Sequence, residues 1–184
     1  QLEFVKINGE YEVLGSEMLV QKKINHFITW MSYSFNTNNY YFQENTPAVF
    51  PNNFELEHIV SWAGIYEKNN FKIALGSKWH SGKPITTPAT KEISNGNTLN
   101  PSIKYNSPNN SNLDSFFQVN FSTTYKWKSS NGVNYKIGFS VLNVLNKSNI
   151  VNRYYTVDAT SKNVDEVNSF ALGRTPNLSF RVEF

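Results

Sequence analysis

Apolar and polar side chains alternate one for one along several stretches of this chain, and a period of two marks strands with one dry and one wet face. Phe117, Val119, Phe121, Thr123, Tyr125 and Trp127 interleave with Gln118, Asn120, Ser122, Thr124, Lys126 and Lys128. Tyr135, Ile137, Phe139 and Val141 then interleave with Asn134, Lys136, Gly138 and Ser140. Between these runs lies Ser-Ser-Asn-Gly, residues 129 to 132. Asn-Gly accepts the positive φ of a tight hairpin, so the two strands are expected to pair antiparallel. At the end of the chain Leu178, Phe180, Val182 and Phe184 share one face, with Asn177, Ser179, Arg181 and Glu183 on the other. Phe71, Ile73, Leu75 and Trp79 alternate with Lys72, Ala74, Gly76, Lys78 and His80. Phe54 to Tyr66 reads as a strand of less regular alternation. Two more fall near 9–23 and 26–37, with Met18, Val20, Phe27, Met31, Tyr33 and Phe35 on their apolar faces.

The connections between these strands alternate in length. Short ones fall at Ile24–His26, Glu67–Asn70 and Ser129–Gly132, and long ones rich in Asn, Pro, Ser and Gly span about 38–53, 82–113 and 147–169. Short turns at one rim and long loops at the other describe a bacterial outer-membrane barrel. Several runs reach the roughly 9–11 residues that a tilted strand needs to cross a bilayer. Tyr66, Phe71, Tyr125, Trp127 and Tyr135 lie beside short turns, whereas Trp79 and the Tyr40, Tyr41, Phe42 cluster lie near long loops, which predicts two aromatic girdles. Lys72, Lys126, Lys136 and Arg181 all fall on the polar side of their strands. There they avoid the roughly 2–4 kcal/mol cost of a cation on the lipid face at mid-bilayer. The expected fold is therefore all-β, an antiparallel transmembrane β-barrel. A soluble β-sandwich also alternates and uses aromatics, but strand length and loop rhythm favour the barrel.

Composition agrees with strands that are greasy on one side only. Aromatics make up 15% of the chain, with 14 Phe, 10 Tyr and 4 Trp against 2 Met. The net charge of +3 is spread without a basic run, which argues against nucleic-acid binding. Cysteine is absent, so disulfides and Cys-based metal or nucleophile sites are excluded. No apolar run approaches the roughly 20 residues of a transmembrane helix, so any crossing must be made by strands. Asn-x-Ser/Thr triplets at Asn109, Asn120, Asn146 and Asn177 are read as chance matches in an Asn-rich chain.

Four motifs carry a family resemblance. The tail Leu172-Gly-Arg-Thr-Pro-Asn-Leu-Ser-Phe-Arg-Val-Glu-Phe184 resembles the closing strand of TonB-dependent outer-membrane receptors of the Bacteroidetes type. These commonly end in a Pro, an alternating strand and a terminal Phe. Gly138-Phe-Ser-Val-Leu-Asn-Val-Leu-Asn-Lys-Ser-Asn149 resembles the family's penultimate strand, with Arg153-Tyr-Tyr155 fitting the loop that follows. His80-Ser-Gly-Lys-Pro-Ile-Thr-Thr87 is similar to a strand-to-loop exit of these barrels, and Gly15-Ser-Glu-Met-Leu-Val-Gln-Lys-Lys23 to a descending strand.

The resemblance implies a 22-stranded barrel in which residues 1–184 are the C-terminal part of one domain. The plug and the TonB-contacting segment are not in this sequence. Barrels close with an even strand count and both termini periplasmic. About seven strands ending periplasmically at Phe184 would place Gln1 at the outer rim, so the chain is expected to belong to a larger barrel. The implied function is TonB-dependent import of a scarce nutrient, such as a metal chelate, haem or vitamin, across the bacterial outer membrane. The implied partners are the TonB energy-transducing complex, the barrel-assembly machinery, outer-membrane lipid and an unidentified small ligand. A passive outer-membrane channel and a soluble β-sandwich binding domain are the alternatives.

No catalytic, metal or cofactor site is assigned. His26, His58 and His80 lack ligand spacing, and Asp114, Asp158, Asp165 and Glu166 fall in or beside loops without a partnering nucleophile. Tyr40, Tyr41, Phe42, Arg153, Tyr154 and Tyr155 are the candidate substrate-binding residues, because aromatic rings and Arg stack on and pair with a ligand such as a metal chelate. Leu178, Phe180, Val182 and Phe184 form a candidate assembly-signal strand. The resemblance implies that an aromatic-ended last strand is read by the assembly machinery, and an amphipathic edge suits strand addition.

Overall fold

The computed structural model describes residues 8–44, 47–90, 102–158 and 160–184. Its elements are all strands: β1 (Glu10–Ile24), β2 (Phe27–Tyr41), β3 (Val49–Pro51), β4 (His58–Lys68), β5 (Phe71–His80), β6 (Pro84–Ile85), β7 (Ser111–Asn112), β8 (Phe116–Lys128), β9 (Asn134–Leu142), β10 (Ile150–Val157), β11 (Val164–Phe170) and β12 (Thr175–Glu183). The main sheet runs β1-β2-β4-β5-β8-β9-β12 with every neighbouring pair antiparallel, and β3 adds a short pairing to the end of β2. β6–β7 and β10–β11 are separate ribbons within the long connections. Asn25 and Asn69 take φ of 50° and 53° in the short turns and Gly132 takes 87°, the left-handed region that favours Asn and Gly.

All seven expected strands form, with shifted ends. β4 begins at His58, not at Phe54, because Asn52 Oδ1 accepts the Phe54 N–H at 2.8 Å and the Asn52 carbonyl accepts the Glu55 N–H at 3.0 Å, which turns the chain first. β2 continues to Tyr41 because β1 pairs with it as far as Glu10 and β3 lies against its other edge, so Tyr40 and Tyr41 are strand residues and not loop residues. β12 stops at Glu183, which leaves Phe184 one residue beyond the strand.

Direct pairing sorts the faces of the whole sheet. One transverse row reads Ile24, Phe27, Tyr66, Ile73, Thr123, Phe139, Leu178 from β1 to β12. The adjacent row on the other face reads Lys23, Ile28, Ile65, Ala74, Ser122, Ser140, Asn177. Opposed residues share a face, so apolar and polar positions stay in register across all seven strands. The second face is less polar on β1 and β4, where Val13, Leu19, Ile59 and Ile65 lie. The apolar row starts beside the short turn at Ile24 and lies six residues from Ser129 by Thr123. The register thus climbs about one residue per strand, and steps of roughly 3.3 Å along and 4.8 Å across correspond to a strand tilt of roughly 35°.

Among the described residues little lies over either face. Leu113, 6% exposed, and Pro84 are the buried apolar residues with side chains among those described, whereas Leu14 is 68%, Val20 56%, Phe180 62% and Leu178 75% exposed. Total accessible surface is 13359 Å², against roughly 9,000 Å² for a compact monomer of this mass. The sheet is open: among the described residues β1 pairs only with β2, and β12 only with β9. Among the described residues no closed barrel is seen.

Gly138 makes one close approach, between Thr124 and Ser179. A Cβ there would meet Ser179 Oγ at 2.6 Å and Thr124 Cγ2 at 3.3 Å, while the nearest atom to a Cβ on Gly76 lies 3.8 Å away. Gly138→Val is expected to cost about 1–3 kcal/mol by overpacking and Gly76→Ala close to nothing. Urea unfolding midpoints test both, and equal midpoints for the two variants would contradict the pairing register of β8, β9 and β12.

Candidate functional site

The three long connections leave the sheet at the rim opposite the short turns, and asparagines pin them there. Asn143 follows β9 with φ of 50° and is 1% exposed. Its amide donates to the carbonyls of Lys147 at 2.9 Å and Leu172 at 3.1 Å, and its Oδ1 accepts the Lys147 N–H at 3.1 Å. Its backbone N–H donates to Asn120 Oδ1 on β8 at 3.0 Å. One side chain thereby ties both ends of the 143–174 excursion to the sheet. Asn149, 2% exposed, accepts the Phe117 N–H and donates to the Phe117 carbonyl, both at 2.9 Å, as a strand partner would. Asn109 joins two other connections, donating to the Pro51 carbonyl and Asn53 Oδ1 at 2.6 Å each while Thr86 Oγ1 accepts its N–H at 2.9 Å. Asparagine suits this work because one short side chain both donates and accepts and tolerates positive φ.

The sequence-derived candidates separate into two groups. Tyr40 packs with Phe42 and Phe50, ring centroids 5.8 and 5.7 Å away, and Phe42 stacks on Phe50 at 5.9 Å. Tyr41, one residue on, faces the other side of the sheet, where its hydroxyl donates to Glu12 at 3.0 Å. Arg153 lies on the β10–β11 ribbon, with Nε donating to Asn168 at 2.8 Å and Nη2 3.1 Å from Glu166. Its guanidinium is thus committed within the ribbon. Tyr155 meets Tyr105 edge-on at 6.4 Å, and Tyr154 is exposed on the opposite face of the ribbon. Among the described residues no ring contact links the two groups.

A cleft of about 350 Å³ opens on the polar face and is lined by none of these candidates; its volume is in the range of small-molecule sites. Lys78 and His80 of β5, Phe116, Gln118 and Asn120 of β8, Lys83, Asp114 and the start of β10 line it. His80 stacks on Phe116 at 4.8 Å with planes 6° apart, and its Nδ1 lies 2.7 Å from the Ser81 carbonyl. A flat ring bounded by two ammonium groups and one carboxylate suits a polar, anion-bearing ligand. The alternation in the sequence puts Lys78, His80, Gln118 and Asn120 on the polar side of their strands but gives none of this lining a binding role. The walls come from segments far apart in the chain, which only strand pairing brings together. No group of three His, Asp or Glu able to hold a metal occurs among the described residues.

At the tip of the β10–β11 ribbon the N–H of Ser161 donates to Asp158 at 2.6 Å and that of Thr160 at 2.9 Å. These bonds, the Ser161 backbone first, hold the Asp158 carboxyl below the usual aspartate range. On the assembly-signal strand, Phe180 lies 6.1 Å from the Tyr135 ring and 6.2 Å from Trp127, with its β12 edge open.

Asn143→Ala leaves two carbonyls and an N–H without their partner and places Ala at a left-handed position, so a loss of about 2–4 kcal/mol is expected. Protease cleavage within 143–174 should rise in step, and a variant as resistant as the parent would remove Asn143 from the role described. No family model, curated protein or solved structure matches this chain.

Proposed function

We propose that this chain is part of the wall of a bacterial outer-membrane β-barrel that imports a scarce nutrient in a TonB-dependent manner. The observation that carries the membrane part is the sorting of the two faces across seven strands, with one face apolar and little among the described residues to cover it. From Phe117 to Trp127 the apolar side of β8 covers ten residue steps. At roughly 3.3 Å each and a tilt of roughly 35–45°, it spans about the 25 Å of an outer-membrane hydrocarbon band. The stagger supports closure into a barrel, since closing requires it.

Charge placement agrees. Lys72, Lys78, Lys126, Lys136 and Arg181 share the polar face, which would line the lumen. Lys22 and Lys68 are on the apolar face within two residues of a short turn, where a cation reaches headgroups, and Glu12 at the far end bonds Tyr41. Tyr125, Trp127, Tyr135 and Phe180 stack beside the turn rim as a girdle would.

Import rests on the resemblance of the four motifs together with the basic cleft beneath the long loops, where a nutrient arriving from outside would first be held. The TonB complex would act through a plug, and the assembly machinery would recognise β12.

Tryptophan quenching by brominated lipids tests the wall. Trp62, Trp79 and Trp127 share the apolar face and Trp30 faces the other way. In single-Trp variants the first three should be quenched and Trp30 spared; a soluble sandwich would shield all four from lipid. Uptake of labelled ferric siderophore, haem or cobalamin by cells should stop when TonB is deleted or a protonophore is added. Uptake indifferent to both would favour a passive channel. Deleting Phe184 should lower the outer-membrane level several-fold, and an unchanged level would remove the assembly role of the tail.

A further inference from the structure

On the polar face, three cations stand directly opposite one another. Lys126 of β8 pairs with Lys136 of β9, and Lys136 with Arg181 of β12. Opposed residues have Cβ atoms about 5 Å apart, and like charges in that relation are destabilising. The next row on the same face, Thr124, Gly138 and Ser179, is neutral. Lys128 lies one position further toward the turn, so four cations and one acid, Glu183, line a cleft of about 410 Å³. Glu183 lies 3.7 Å from Arg181, and the nearby Lys72 is taken by Glu67, also at 3.7 Å. Among the described residues Lys126, Lys128 and Lys136 have no ion-pair partner.

We propose that this row is a binding site for a small polyanion carrying phosphate or carboxylate groups. Two ammonium groups and a forked guanidinium in one line match the spread oxygens of such a ligand, and its charge relieves the repulsion that the register imposes. Cleft volume favours a small molecule. Two independent strand pairings place the cations, so the row does not depend on how far one flexible side chain reaches. Lys78 and Lys83 line the other cleft, at the far end of the same face, so both ends of the polar face are basic. Identifying the anion with the imported nutrient rests on the import function proposed above; the site itself does not.

The test is calorimetric titration of the intact protein in detergent with inorganic pyrophosphate and with citrate. Saturable binding that weakens as salt rises is expected, and Lys136→Gln should weaken it about tenfold, the loss of one charge-assisted contact. The same substitution removes two like-charge oppositions, so it should raise the thermal midpoint of the anion-free protein by about a degree or more. It should also reduce the upward shift that pyrophosphate gives the parent. A merely solvated lysine would show neither effect. No saturable binding of either anion, or binding unaltered by Lys136→Gln, would overturn the site. Hexaglutamate is the control for a protein source of the charge: binding of that peptide without binding of the small anions would overturn the small-molecule assignment. Because the titration needs no bilayer, its failure is separable from that of the barrel, which the brominated-lipid experiment reads independently.

Discussion

Everything in this molecule depends on residue-for-residue antiparallel pairing. Side chains alternate along a strand, so a shift of one residue in any pairing would move that strand's apolar set to the wrong face. Six consecutive pairings keep the same parity, from Ile24 opposite Phe27 to Phe139 opposite Leu178. The sorted faces, the stacked rings at the turn rim and the opposed cations on β8, β9 and β12 all descend from that parity. So does the stagger of about one residue per strand that tilts the sheet.

A sheet sorted in this way, with little stacked on it, is half of a physical arrangement. Strand hydrogen bonds hold the sheet together edge to edge, but burial of its apolar face requires something outside these residues. Lipid satisfies that requirement for a barrel wall, and a second sheet would satisfy it for a sandwich. The proposed wall rests on the strand lengths, the tilt and the restriction of apolar-face cations to the rim. Among the described residues β1 and β12 each leave an edge open, the complementary requirement along the sheet, because an unpaired strand edge is a template for further pairing.

The rim opposite the turns is organised by a different interaction. The long connections lie outside the main sheet and cost entropy to hold in one arrangement. Asn143, Asn149 and Asn109 offset that cost by bonding backbone groups that no strand serves. The result is a set of folded connections standing over a basic cleft, in which His80 and Phe116 provide a flat wall. The two halves of the proposed function divide along this line: strands would cross the membrane, while the pinned connections would shape what enters.

The sequence by itself determined the seven main strands, the short and long rhythm of their connections and the sidedness of almost every charge. Those features are local, since a period of two and an Asn-Gly turn are written in adjacent residues. It could not show that pairing with β1 and β3 would extend β2 and put Tyr40 and Tyr41 on opposite faces, or that Arg153 would be held by Asn168 and Glu166. The Asn-rich stretches were legible only as loops, yet their side chains carry the bonds that fold those loops. The clefts and the row Lys126, Lys136 and Arg181 were equally out of reach. Each depends on which residue of one strand lies opposite which residue of another, and that relation is set by hydrogen bonding between segments distant in the chain, which only the tertiary structure decides.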